Sequence, residues 1–199
     1  MTRIAVILLV AVCARARAGQ IPYWIQPCAD ARTACKSGDP QLAAWALAAW
    51  ETASHGRLRL VEMPAPDHAR IRVYWVTGLE GLYGETRPVE VDGKKGAEMF
   101  IRPDVSTLGP TIAAAAGRDP LLREAIVYLT CLHESGHALG LAHTAAFDDI
   151  MYTFALGGDI DEYFARYRRQ IATRGDIRRH PGLSPADREH LIRALADPR

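Results

Sequence analysis

The chain has 199 residues, 49% of them hydrophobic, and 24 basic against 23 acidic side chains leave a formal net charge of +1. The composition is that of an ordinary globular protein, and so even a charge balance argues against partners held by bulk electrostatics, whether nucleic acid or a membrane surface. No internal repeat is visible, and after the first residues no stretch is long and apolar enough to span a bilayer, which excludes a membrane-embedded enzyme.

Residues 1–18 read as an export signal rather than as structure. Arg3 supplies the charge, residues 4–12 the short apolar run, and Ala16-Arg17-Ala18 a small-x-small cleavage site. Cys13 offers a lipoprotein anchor as an alternative, disfavoured by the bulky Val12 before it. The mature chain is therefore expected to start near Gly19, to be secreted (extracellular or periplasmic), and to form one domain over 19–199. Cys28 and Cys35 bracket a short polar stretch and can close a local disulfide in such a compartment, the alternative being two free thiols.

Ile21 to Ile25 is a short extended segment. Residues 40–54 predict a helix, with Asp39 as its cap, Pro40 at its first position and Leu42, Trp45, Ala46 and Ala49 as its apolar stripe. Four strands are expected over 57–62, 69–76, 87–91 and 97–102, from alternation of charged and apolar residues, with residues 92–96 as the hairpin loop between the last two. The Gly- and Ala-rich residues 103–120 read as a loop with one helical turn at most. Asp119 then caps a helix from Leu121, in which Leu122, Ile126 and Leu129 share a side with His133 and His137. Residues 159–181 form a basic extension, with Arg166, Arg168, Arg169, Arg178 and Arg179 offset by Asp159, Asp161, Glu162 and Asp176. Such a run is expected to be a solvated face, with an acidic partner as the alternative. Ser184 and Pro185 open a final helix, with Asp187 in its first turn.

The chemistry is concentrated in His133-Glu134-Ser135-Gly136-His137-Ala138-Leu139-Gly140-Leu141-Ala142-His143. On a helix His133 and His137 project from one face a turn apart, the spacing two nitrogens need to reach one zinc ion. Gly140 can end the helix in a left-handed conformation and turn the chain so that His143 supplies a third nitrogen. Three ligands leave one coordination position open, the arrangement of a catalytic zinc. Glu134 is placed to act on a water there without ligating the metal. Chance gives H-E-x-x-H in roughly one chain in forty of this length, and the added glycine and third histidine lower that by a factor of ~400. Cys131, two positions before His133 and about 200° round the helix, cannot join the ligands and reads as a small buried hydrophobe.

This stretch resembles the extended zinc motif of the metzincins, and Asp149-Ile150-Met151-Tyr152 resembles the Met-turn beneath the zinc of that clan. The resemblance is nearest to small secreted bacterial matrixins. It implies an α+β domain: a twisted mixed sheet of four to five strands, an N-terminal helix, a central zinc-binding helix and a C-terminal helix. It also implies one catalytic zinc held by His133, His137 and His143, Glu134 as general base, Met151 as an apolar floor, and a zinc-dependent endopeptidase that works as a monomer. Extended substrate would pair with the strand before the zinc helix, at residues 98–101, and residues 153–158 would form a pocket wall.

Several departures from the family narrow the reading. Thr153 stands where an astacin-type tyrosine would be, and also where matrixins usually place a proline. No cysteine-switch propeptide and no His-Gly-Asp stretch for a structural zinc is present, and His55 and His68 are isolated, so calcium and a second zinc stay open. The competing functions are a non-catalytic binding module that keeps the fold, and a zinc hydrolase acting on something other than peptides.

Overall fold

The computed structural model describes residues 19–78 and 83–196, so the export-signal reading of 1–18 lies outside the described residues. The chain forms an α+β fold, in which a five-stranded mixed sheet and five α-helices are seen among the described residues. The strands are β1 (Gly19–Ile25), β2 (Leu58–Glu62), β3 (Ile71–Trp75), β4 (Gly84–Val91) and β5 (Lys94–Ile101), in the order β2-β1-β3-β5-β4. All neighbours are parallel except β4 and β5, which form an antiparallel hairpin. The hairpin loop is shorter than expected. Lys94 pairs with Val91, so the turn is Asp92-Gly93 alone, both at positive φ, which matches the right-handed twist of the strands.

The helices are α1 (Asp39–Ala53), α2 (Pro110–Arg118), α3 (Pro120–Ala138), α4 (Ile160–Arg168) and α5 (Pro185–Ala196). The stretch read as a loop over 103–120 contains the nine-residue α2, with Pro110 in its first turn and Ile112 and Ala116 buried. Its alanines give it helix propensity, but so few large apolar residues leave almost no period to detect. Among the described residues no helix is long and apolar enough to cross a membrane.

Helices α1 and α3 pack over the sheet. Among the largest fully buried side chains are Trp50 of α1, Tyr128, Ile126 and Leu132 of α3, Ile71 of β3, and Met99 and Ile101 of β5. The Trp50 indole N–H donates to the Leu132 carbonyl at 2.9 Å, which fixes α1 against α3 one residue before His133. The buried face of α1 is Leu42, Ala43, Ala46, Leu47 and Trp50. Trp45, expected in the core, is only half-buried, and the guanidinium groups of Arg174 and Arg178 lie 5.3 and 6.0 Å from its ring.

Asp39 does not cap α1. Gly38 occupies that position, and the Asp39 carboxylate is buried instead, accepting from the Lys36 N–H and pairing with Arg123 of α3. Arg123 also donates to the carbonyls of Ala34 and Pro103. This one guanidinium therefore joins α3 to the start of α1, to the chain after β5, and to the loop closed by the Cys28–Cys35 disulfide, whose Cα atoms are 5.5 Å apart.

The basic extension is a solvated face only in part: Arg169, Arg178 and Arg179 are exposed, and Arg169 and Arg179 pair with Glu162 and Asp176 of the same segment. Tyr163, Phe164 and Tyr167 of α4 are buried. Arg168 pairs with Asp119, the N-cap of α3, and Arg174 with Glu124 of α3. Arg166 pairs with Asp148 and lies over the rings of Phe147 and Tyr163. These arginines hold the extension to the rest of the molecule, which a charge count along the sequence has no means of showing.

Removing one partner of a buried ion pair leaves the other charge uncompensated. Asp39→Ala is therefore expected to lower stability in urea melts by about 3–5 kcal/mol, with much of the loss recovered in the double variant Asp39→Ala/Arg123→Met. A loss below ~1 kcal/mol, the scale of an exposed pair, would show that Arg123 does not depend on Asp39.

Candidate metal centre and active site

Helix α3 starts as expected: the Asp119 carboxylate accepts from the N–H groups of Leu121 and Leu122. Leu122, Ile126 and Leu129 are buried along the side that leads to His133 and His137, and Cys131 is buried. Gly140, at φ 91°, ends the helix. Its N–H bonds to the His137 carbonyl at 2.9 Å, and the Leu141 N–H to the Gly136 carbonyl at 3.0 Å, the paired bonds of a Schellman motif. A side chain at this φ would be strained, so the glycine is required by the turn that brings His143 back.

The three imidazoles converge. His143 Nε2 lies 3.3 Å from His133 Nε2 and 3.0 Å from His137 Nε2. His133 Nδ1 is 2.6 Å from the Ile150 carbonyl and His137 Nδ1 is 2.9 Å from the Leu141 carbonyl. A carbonyl only accepts, so each Nδ1 carries the proton and each Nε2 presents a lone pair. Lone pairs held this close to a third imidazole nitrogen need a cation or a proton among them. Three nitrogens each 2.0–2.1 Å from a tetrahedral ion would stand about 3.3–3.4 Å apart, so the donor set fits a metal ion of zinc's size and chemistry. Burial pushes the His133 pKa down to about 4 and lowers that of His137, which keeps both rings neutral and ready to ligate.

Met151, read from the sequence as an apolar floor, packs against the helix that carries His133 and His137. Met151 is fully buried, and a methyl group at Gly136 would run into its sulfur and crowd Trp50. Gly136 is thus the small residue that lets the methionine sit directly against the zinc-motif helix. The turn carrying Met151 is tied down by α5: Asp187 accepts the Ile150 N–H at 2.9 Å, Ser184 donates to Asp149 at 2.7 Å, and Ser184 and Asp187 cap the helix reciprocally. The loop carrying His143 is pinned to the same turn, through the Thr144 N–H on the Met151 carbonyl at 2.8 Å.

Glu134 is 5% exposed, and burial pushes its pKa up to about 7. The Thr86 hydroxyl of β4 opposes that rise, lying 2.7 Å from Glu134 Oε2 and 3.0 Å from its backbone oxygen. Gly84, two residues earlier, presses its backbone against the carboxylate, where a Cβ would stand 2.5 Å from Oε1. Thr86 and Gly84 were not foreseen. Neither lies in the strand predicted over 87–91, and no local pattern marks which strand residue will face a particular helix residue.

A cleft of roughly 1010 Å³ opens beside these groups. The three histidines and Glu134 line its centre, Tyr83, Tyr152, Phe154 and Ala155 one part of its wall, and Pro88, Val89, Gly96 and Ala97 another. Of residues 153–158, expected to form a wall, Thr153, Phe154 and Ala155 line the cleft and 156–158 do not. The edge strand is different from the expected one: β5, which carries residues 98–101, lies between β3 and β4, and β4 is the edge. In sequence β5 is the strand nearest the zinc helix, but the hairpin folds its partner outside it. His55 and His68 stay away from the site, and His68 makes an exposed pair with Asp92.

The chain matches no protein-family model and no curated protein. The site is therefore read from its own chemistry.

A histidine with a folded pKa near 4 binds fewer protons than its unfolded counterpart between pH 6.5 and about 4. The metal-free protein is accordingly expected to lose thermal stability as pH falls through that window, with the His133 ring titrating near 4 by NMR. A His133 midpoint at or above 6.5 would contradict its burial, whose lowering effect outweighs the opposing pull of the Ile150 carbonyl.

Proposed function

We propose that this chain is a secreted zinc-dependent endopeptidase of the metzincin clan, closest to the matrixins. The observation that carries the reading is the convergence of three imidazole Nε2 atoms beside a buried carboxylate, on the wall of a cleft of roughly 1010 Å³ that edge strand β4 also lines. Zinc bound by His133, His137 and His143 supplies a Lewis acid that polarises a carbonyl and lowers the pKa of water toward about 7.

The chain's own groups do the rest. Glu134 takes a proton from the water that attacks the scissile carbonyl carbon, and returns it to the amine nitrogen as the C–N bond breaks. A carboxyl whose pKa lies near neutrality suits both transfers. Thr86 and the close approach of Gly84 hold that carboxylate at the cleft. The carbonyls of Ile150 and Leu141 keep His133 and His137 in the tautomer that presents Nε2. Edge strand β4 offers backbone groups to a bound peptide. The Cys28–Cys35 bridge supports an oxidising compartment, and with it export. A scaffold that only bound a partner would have no use for a carboxylate desolvated at this cost, which weighs against the non-catalytic reading.

Glu134→Ala is expected to retain about one zinc per chain by elemental analysis, while cleavage of a peptide library falls by about 10²–10⁴-fold. Equal cleavage by the variant would remove Glu134 from the mechanism. A wild-type chain that takes up zinc and cleaves no peptide would leave the non-peptide hydrolase. Gly84→Ala, whose methyl group claims the space of the carboxylate, is expected to lower kcat by at least about tenfold with zinc retained, since a misplaced base loses most of its effect.

A further inference from the structure

The outward-facing groups of β4 follow from hydrogen bonds on the far side of β5. The Ala97 N–H bonds to Arg70, and the Ile101 carbonyl accepts from Val76, so the odd residues of β5 face β3. The even residues, 96, 98 and 100, therefore face β4, where their partners are Val89, Arg87 and Glu85. The bond from the Arg102 N–H to the Tyr83 carbonyl continues the same alternation. Gly84, Thr86, Pro88 and Glu90 are left with their backbone groups directed away from the sheet, the first three of them along the cleft.

Each of these positions offers an N–H and a carbonyl to an added strand, except Pro88, which has no N–H. Gly84 and Thr86, the two complete positions in a row, are also the two that touch Glu134. The usable ladder thus lies against the proposed base and is interrupted one outward position further on.

We propose that Pro88 sets how much of an extended polypeptide the edge strand grips: the main-chain ladder runs over Gly84 and Thr86 and stops at Pro88. This rests on the peptidase reading above. At Pro88 only a carbonyl is offered, and Glu90, the next outward position, does not line the cleft, so toward Val89, Gly96 and Ala97 the substrate is held mainly by side-chain contact. The enzyme then recognises a short extended segment around the scissile bond, so that exposed loops and unfolded segments are substrates without a long strand having to be peeled free. The same proline blunts an exposed sheet edge against pairing with another copy.

The test is a set of peptides that share one cleavage site and are lengthened one residue at a time on each side. Cleavage is measured with the zinc-loaded wild-type and Pro88→Ala proteins, and affinity with zinc-loaded Glu134→Ala, which holds peptide without turnover. For the wild type, kcat/KM and affinity are expected to rise with length until the peptide reaches position 88 and to level off on that side. Pro88→Ala restores the missing donor, and the ratio of kcat/KM between peptides that span position 88 and those that stop short of it should rise about five-fold. A wild-type profile that keeps rising past that point, or the same length ratio in Pro88→Ala, overturns the proposal while leaving the peptidase reading intact. Peptides that bind with the expected plateau but are never cleaved support the proposal and overturn the peptidase reading. A chain that neither binds nor cleaves any of them overturns both.

Discussion

The hydrogen bond from His133 Nδ1 to the Ile150 carbonyl connects the two halves of the site. On one side stands α3, fixed by Trp50 and by the Asp39–Arg123 pair; on the other stands the turn that carries Met151. Both backbone groups of Ile150 are held, since its N–H donates to Asp187 of α5 while its carbonyl accepts from His133. A single residue thus passes constraint from the last helix to the first of the three converging imidazoles. Asp187 is fully buried, and burial raises its pKa, a rise that hydrogen bonds from Ile150 and Ser184 to its carboxyl reduce without cancelling. The polar chain is costly to bury, and its return is a ring whose orientation is fixed before any ligand arrives.

Small residues do a related job where backbones must come close. Gly136 admits the methionine sulfur, Gly84 admits the carboxylate of Glu134, and Gly140 turns the chain toward the third histidine. Each is required for a different reason: contact with a side chain, approach of a strand to a reactive group, and a positive φ. A methyl group in any of them would act on the geometry of the site more than on the bulk of the core.

The arginine-rich segment shows how far composition can mislead about location. Of six guanidinium groups, those of Arg169, Arg178 and Arg179 do lie at the surface, yet Arg166, Arg168 and Arg174 reach acidic partners at the start of α3 and beside the 147–152 turn, and aromatic faces there and on α1 and α4. Their aliphatic stems and planar heads let them cover apolar surface and pair at once. The segment holds the base of the zinc-motif helix against its surroundings.

What the sequence by itself determined is what depends on local spacing. Helical periodicity places His133 and His137 on one side, Gly140 permits the return to His143, Asp119 caps the helix and Ser184 with Asp187 caps the last one. Alternation located the central strands to within a few residues, because one face of each had to be buried. Only the tertiary structure decided which strand lies at the edge, that Thr86 and Gly84 meet Glu134, that Asp39 is a buried partner of Arg123, and that α2 is a helix. These depend on contacts between residues tens of positions apart. A hairpin may fold to either side of its neighbour with the same alternation along each strand, and a carboxylate has the same letter whether it caps a helix or neutralises a guanidinium inside the core.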